Sequence, residues 1–168
     1  MARSVSVIVP SVGNADELGI ALDGLLAQTY FGPLEVVVVG PNGDPGRQQA
    51  ESRGVRFIDD AGSRTRADAC NVALDSIESE LVFFTDDDVI VPKGWVESLA
   101  RWFERPEVAG VGGPNFAPPE SSSTQQQIID HVDGLSRDDV ATCCLSRLFP
   151  TRRSRQSEWG RQYFVHPG

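Results

Sequence analysis

Short apolar segments, separated by turn residues and helical stripes, constrain the fold of this chain more than any other feature of its sequence. Residues 4–10 place valines on one face and Ile8 on the other, and Pro10 ends the segment. A strand that is apolar on both faces is typical of a parallel sheet covered by helices. We therefore predict five strands, at residues 4–10, 34–39, 55–58, 81–84 and 108–111.

Helical patterns fill the intervals between these strands. The first helix is predicted from a leucine stripe: Leu18, Leu22, Leu25 and Leu26. Asn14 and Glu17 resemble a capping box at its start, Asp44-Pro45 indicates a short helix, and residues 65–79 predict a third. A last helix is predicted from core residues at helical spacing: Trp95, Leu99, Trp102 and Phe103. The alternation predicts a three-layer α/β domain with a largely parallel sheet and right-handed crossovers.

Length and composition are those of a globular protein. The chain has 168 residues and a mass of 18.2 kDa, within the usual size of one domain. No segment approaches the roughly 18–20 apolar residues that span a bilayer, and the N-terminus lacks the apolar core of a signal peptide. Three cysteines, two of them adjacent, form neither a disulfide framework nor a metal-binding pair. These features predict a cytoplasmic protein.

Charge is unevenly distributed along the chain. The net charge is −9, but residues 1–146 carry −13 and residues 147–168 carry +4. We expect no binding of nucleic acid, because an acidic surface repels its phosphates. A phosphate-containing ligand of any kind would need something that offsets this repulsion.

Three consecutive aspartates, Asp86, Asp87 and Asp88, directly follow the predicted strand 81–84 and Thr85. Ligands of open α/β sheets bind beyond the carboxyl ends of the strands. Neighbouring carboxylates repel one another unless a cation intervenes, and Mg²⁺ or Mn²⁺ binds one or two carboxylates together with phosphate oxygens. A solvated acidic loop is the alternative interpretation, but the position at a strand end favours a metal site.

Several segments resemble the family-2 glycosyltransferases of the GT-A fold. They are Val-Ser-Val-Ile-Val-Pro at 5–10, Ala-Cys-Asn-Val-Ala-Leu at 69–74, the Asp86-x-Asp88 element and the helix at 95–99. An Asp-x-Asp element alone is a weak signal, but the order and spacing of the four segments make the resemblance specific. It covers residues 4–115 well and continues loosely to the end of the chain.

The resemblance implies a Rossmann-like GT-A sheet and transfer of a sugar, with inversion, from a UDP- or GDP-type donor. It places Pro10, Ser11 and Val12 near the nucleoside base, and Arg66, or less favourably Arg64, near the nucleotide. Asp86 and Asp87 would approach the ribose and phosphates. Asp88, then Asp86, would bind the divalent metal, Mg²⁺ or Mn²⁺.

The sequence departs from the family pattern in two places. Where the family commonly has an acidic residue after the second strand, this chain has Gly-Pro-Asn-Gly, which leaves Asn42 as a nucleotide contact. The general base is not identifiable, and its weak candidates are Asp138, Asp139 and Glu158. We therefore expect residues 1–113 to form the nucleotide-sugar-binding domain. Residues 114–168 would form a partial acceptor-side region, truncated or loosely ordered, in a longer transferase or a naturally short relative.

Other functions remain open at this point. A catalytically silent nucleotide-sugar-binding module would lack the general base, and a sugar-phosphate nucleotidyltransferase could use the same acidic site. The acceptor would be a carbohydrate or a lipid-linked molecule. The arginine-rich segment at 152–155 is interpreted either as a solvated tail or as a peripheral membrane contact.

Overall fold

The computed structural model describes residues 2–112 and the backbone of the short strand at 164–165. The chain divides into two compact units, Met1–Ala100 and Arg101–Gly168. Several sequence predictions lie outside the described residues, namely the arginine-rich segment, Asp138, Asp139 and Glu158. The boundary predicted after residue 113 stays a prediction.

Four strands and four helices alternate in the first unit. The strands are β1 (Val5–Pro10), β2 (Leu34–Gly40), β3 (Arg56–Asp59) and β4 (Leu81–Phe84). The helices are α1 (Ala15–Leu26), α2 (Gly46–Ser52), α3 (Arg66–Leu74) and α4 (Trp95–Ala100). Each described helix is too short or too polar to cross a membrane.

The four strands form one parallel sheet in the order β3-β2-β1-β4. The register pairs Val5 with Leu34 on one side and with Leu81 on the other. The chain therefore runs from β1 outward to β3 and then crosses back to β4. All four carboxyl ends lie at the same edge of the sheet.

Helices cover both faces of this sheet. Right-handed crossovers place α1 and α2, which contact each other, on one face. Helix α3 lies in the connection from β3 back to β4, which crosses the sheet in the opposite direction. It packs against β1 and β2 on the other face. Gln28, just beyond α1, accepts a hydrogen bond from the Val96 amide of α4 and donates to the Pro92 carbonyl. The predicted mostly parallel, three-layer α/β fold is thus confirmed.

The core follows from the apolar strands. All six residues of β1 are buried, because this strand has neighbours on both edges and helices on both faces. On α1 the buried leucines are Leu18, Leu22 and Leu25, whereas Leu26 is half exposed. Gly19 and Ala21 are buried beside them, so one broad face of α1 is packed and the other is exposed.

The start of α1 differs from the predicted capping box. Asn14 is the N-cap residue, but its side chain makes no capping hydrogen bond. Its ψ of 59° departs from the extended backbone of typical caps, which would direct the side chain to the first amides of the helix. Helix α3 has the side-chain cap instead, since Thr65 accepts a hydrogen bond from the Asp68 amide.

The predicted aromatic stripe after β4 is wrong in detail. Helix α4 ends at Ala100 and buries Val96 and Leu99. Trp95 is half-buried and packs edge-on against the Phe83 ring, with the ring centroids 5.7 Å apart. In the second unit, Arg101–Glu104 form a 3₁₀ helix, whose tighter winding ends the α-helical spacing.

The fifth predicted strand does not join the main sheet. In the second unit, β5 (Gly110–Val111) pairs in parallel with β6 (Phe164–Val165) as a separate two-stranded sheet. The partner is more than fifty residues away along the chain, so the apolar run at 108–111 could not indicate it.

Candidate functional site

The site is built at the carboxyl edge of the parallel sheet. There the loops after β1, β2 and β4 lie side by side because their strands are neighbours. The strand order reverses between β1 and β4, and such a switch point opens a crevice in which α/β proteins bind ligands.

A hydrogen bond joins the β1 and β4 loops across this switch point. The Val12 amide donates to the Asp87 carboxylate over 3.3 Å. Ser11 is buried at 1% exposure, whereas the Val12 side chain is 81% exposed, a high value for a large apolar residue. Val12 and the three aspartates at 86–88, here called the acidic run, therefore face the same crevice.

Arg66 approaches the same acidic run from α3. Because Thr65 caps this helix, Arg66 occupies its first position, and its guanidinium forms an ion pair with the Asp86 carboxylate. Both side chains are about half exposed, at 54% and 49%, so an arriving ligand can reach either group. Arg64, the alternative cation, is exposed and forms no ion pair with a described residue.

Burial makes Asp87 unusual among the three aspartates. Its pKa is raised from the ordinary value of 3.8, first because burial disfavours the charged carboxylate and further because of the neighbouring charges of Asp88 and Asp86. The hydrogen bond from the Val12 amide acts in the opposite direction. A cation at this point would relieve the repulsion among the three carboxylates.

Asp88 is the carboxylate that is open to a metal. It is exposed and makes no hydrogen bond or ion pair with any residue in the described part of the chain. Within residues 2–112, no three His, Cys, Asp or Glu side chains cluster tightly enough to hold a metal ion by themselves. The donor set fits a hard divalent cation that takes one or two carboxylates here and completes its coordination with ligand oxygens.

The remaining predicted residues lie at the same edge but differ in what they expose. Pro10 is buried at the end of β1, and Asn42 is exposed in the loop after β2. The structure thus brings Val12, Arg66 and the acidic run together, whereas Asn42 makes no hydrogen bond to them.

Sequence reasoning missed Asp44. Its carboxylate is only 6% exposed and accepts hydrogen bonds from the Gly13 amide, the Gly46 amide and the Ser11 hydroxyl. The one available signal was the Asp-Pro-Gly turn, which indicated a short helix and gave no hint of contact with the β1 loop. Gly46 beside it has no room for a side chain, since a Cβ would lie 2.7 Å from Ser11 Oγ and from Leu18 Cδ2.

Comparison with known proteins gives a family match over most of the chain. The sequence model described as Glycosyl transferase family 2 matches residues 6–167. A type 2 glycosyltransferase from Gibberella zeae is 29% identical over 66% of this chain, and the O-antigen biosynthesis protein RfbC from Myxococcus xanthus is 32% identical over 64%. The chain spans 22% and 9% of the length of these two relatives.

Solved structures show the same fold. The mannosyltransferase PcManGT from Pyrobaculum calidifontis, in complex with GDP-Man and Mn²⁺, is 30% identical with a TM-score of 0.58, covering 71% of this chain and 37% of that chain. Mannosyl-3-phosphoglycerate synthase from Rubrobacter xylanophilus is 22% identical with a TM-score of 0.60, covering 75% of this chain and 45% of that one.

Glucosyl-3-phosphoglycerate synthase from Mycobacterium tuberculosis, in complex with Mn²⁺, UDP and glucosyl-3-phosphoglycerate, gives a TM-score of 0.59 at 17% identity. That match covers 66% of this chain and 43% of the synthase. The neighbours have the GT-A form of the Rossmann-like α/β fold, which confirms the fold expected from the sequence. Because the family match extends over nearly the whole sequence, this chain belongs to glycosyl transferase family 2.

Proposed function

We propose that residues 1–113 bind the donor in a glycosyltransferase that moves a sugar from a UDP- or GDP-type nucleotide to an acceptor hydroxyl. The observation that carries the proposal is the junction of the β1 loop, the start of α3 and the acidic run at the strand switch point. Family membership and the nucleotide and Mn²⁺ complexes of two structural neighbours support the same donor class.

Each group at the junction has a role that its position suits. The exposed Val12 side chain and the β1 loop would contact the nucleoside, with Asn42 at the margin. Arg66 would pass from Asp86 to a phosphate of the nucleotide, since both side chains are about half exposed. Asp86 and Asp87 would lie against the ribose and phosphates, and Asp88, with Asp86, would hold Mg²⁺ or Mn²⁺.

The chemistry is displacement at the anomeric carbon. The acceptor oxygen forms a bond to this carbon as the bond to the nucleotide diphosphate breaks, which inverts the configuration. When bound, a divalent cation stabilises the negative charge that grows on the departing diphosphate. Arg66 can add to this stabilisation from the other side of the acidic run.

The acceptor proton needs a carboxylate base. Asp138, Asp139 and Glu158 stay the candidates from the sequence, and they lie outside the described residues. A carbohydrate or lipid-linked acceptor, and peripheral membrane contact through Arg152, Arg153 and Arg155, also rest on the sequence alone.

The experiment is a binding titration on the full chain with UDP and GDP, with and without Mn²⁺. We expect Mn²⁺-dependent binding that weakens at least tenfold in Asp88→Ala, because one metal ligand is lost. Glu78→Ala is the matched control: it removes an exposed carboxylate between α3 and β4, at the opposite edge of the sheet. Its affinity should equal that of the unmodified chain.

Two results would contradict the proposal. One is the absence of Mn²⁺-dependent binding at millimolar UDP and GDP, and the other is an equal loss of affinity in both variants. Binding without hydrolysis or transfer of the sugar would instead identify a catalytically silent module.

A further inference from the structure

The buried carboxylate of Asp44 lies beside the crevice but does not open into it. We infer that Asp44 is a positioning residue of the donor site, which sets nucleotide affinity by holding the β1 loop, Ser11–Gly13, in place. This inference rests on the proposed function.

Both oxygens of this carboxylate are already in use. Oδ2 accepts from the Gly13 amide at 2.8 Å, and Oδ1 accepts from the Gly46 amide at 2.7 Å and the Ser11 hydroxyl at 3.3 Å. With 6% exposure, the Asp44 carboxylate is shielded from a nucleotide in the crevice. It therefore acts through the loop that it holds.

The same bonds decide what the β1 loop can offer a ligand. Because the Ser11 hydroxyl donates to Asp44 and the residue is 1% exposed, its side chain is not a free donor in the crevice. The loop instead presents the backbone and exposed side chain of Val12. Its shape, more than its side-chain hydrogen bonds, must then fit the nucleoside.

Asp44 also connects to the acidic run through two adjacent amides. Gly13 donates to Asp44, and its neighbour Val12 donates to Asp87. The loop is thus fixed on the β2 side by one carboxylate and on the β4 side by another. Gly13 has a φ of +81°, in the left-handed region that glycine adopts without strain, and the chain turns there from the β1 loop toward α1.

The decisive variant is Asp44→Ser in the full chain. A serine hydroxyl can still accept from the Gly46 amide in a short turn, so the start of α2 keeps its acceptor. It is too short to reach the Gly13 amide as well. We expect the Kd for UDP or GDP, with Mn²⁺ present, to rise about tenfold, as for loss of a charge-assisted hydrogen bond.

Asp59→Asn is the matched control. Asp59 also accepts a backbone amide hydrogen bond, from Ala61 at 2.9 Å, in an exposed turn at the same edge of the sheet. The Kd of the Asp59→Asn variant for UDP or GDP should not change. The affinity for Mn²⁺ at saturating nucleotide, measured by electron paramagnetic resonance, should be equal in all variants, because Asp44 does not touch the three aspartates at 86–88.

A nucleotide-specific loss in Asp44→Ser, with Mn²⁺ affinity retained, supports the inference. An unchanged Kd, or an equal loss in Asp59→Asn, overturns it and leaves the proposed function standing. If Asp44→Ser does not fold, Ser11→Ala is measured in its place. A two- to threefold rise in the Kd for the nucleotide supports the inference, and an unchanged Kd overturns it. If the unmodified chain binds no nucleotide, the proposed function fails and this inference fails with it.

Discussion

At the scale of single residues, the hydroxyl of Tyr30 links fold stability to alkaline pH. This half-buried phenol donates a 2.6 Å hydrogen bond to the Arg3 carbonyl. Burial raises its pKa from the ordinary value of 10.0, and the negative charges of Glu97 and Glu80 raise it further. The folded chain therefore holds the proton more tightly than the unfolded chain does.

Removal of this hydroxyl should have a pH-dependent effect. At pH 8, Tyr30→Phe should lower the free energy of unfolding by about 1 kcal/mol, the usual contribution of one hydrogen bond. The contribution is fully present below pH 10 and falls as the pH rises above it, because the unfolded chain then loses the proton first. Urea unfolding should show an equal difference between the two proteins at pH 8 and 9 and a smaller one at pH 10.5. A difference at pH 10.5 that equals or exceeds the difference at pH 8 would contradict the assignment.

The residues of the acidic run and Arg66 were predictable because each immediately follows or begins a recognisable element. Their closeness follows from parallel strands that end at one edge of a sheet. Asp44 was not predictable, because its burial depends on contact with Ser11 and Gly13, about thirty residues earlier in the chain. No local pattern reports such a contact.

At the scale of elements, the packing is tight where α2 begins beside α1 and the β1 loop. Gly46 has a Leu18 methyl group, the Ser11 hydroxyl and the Asp44 carboxylate around its α-carbon, each 2.7 Å from where a Cβ would lie. Two of the three groups are buried parts of other elements. A side chain at this position must displace at least one of these groups.

Gly46→Ala should therefore lower the free energy of unfolding by about 1–3 kcal/mol, as overpacking of a filled core does. Gly94→Ala is the control, since its Cβ would have only the Ser98 hydroxyl near it, at 3.9 Å. That variant should stay within about 0.5 kcal/mol of the unmodified chain. Urea unfolding of both would measure the difference, and equal stabilities would show that the α2 junction has room to relax.

Element boundaries show which limits a sequence pattern can predict and which it cannot. The predicted and observed limits of β1, β2 and β4 agree to within one residue, because buried parallel strands are continuous apolar runs. Helix α3 was predicted to reach residue 79 but ends at Leu74. Ile77, which extended the apparent stripe, is buried from the following loop, and periodicity cannot distinguish that from a longer helix.

At the scale of the whole molecule, charge separates the described residues from the rest of the chain. Residues 1–112 contain nine Lys and Arg against 18 Asp and Glu, a formal charge of −9, and the remaining residues are balanced. An acidic crevice can accept an anionic nucleotide when a divalent cation and Arg66 offset the charge at one point. The same surface has no means of neutralising an extended row of phosphates.

The full chain should accordingly fail to bind duplex DNA. At 0.1 M salt we expect no saturable binding of a fluorescent 20-base-pair duplex below about 100 µM protein, since non-specific affinity comes from lysines and arginines that replace counterions. The positive segment 147–168 makes the test a demanding one, because its +4 charge is the strongest local attraction for phosphate. Fluorescence anisotropy would measure the binding. A micromolar Kd that weakens with added salt, and is lost when Arg152, Arg153 and Arg155 are replaced by alanine, would show that the attraction of this segment for phosphate outweighs the repulsion by residues 1–112.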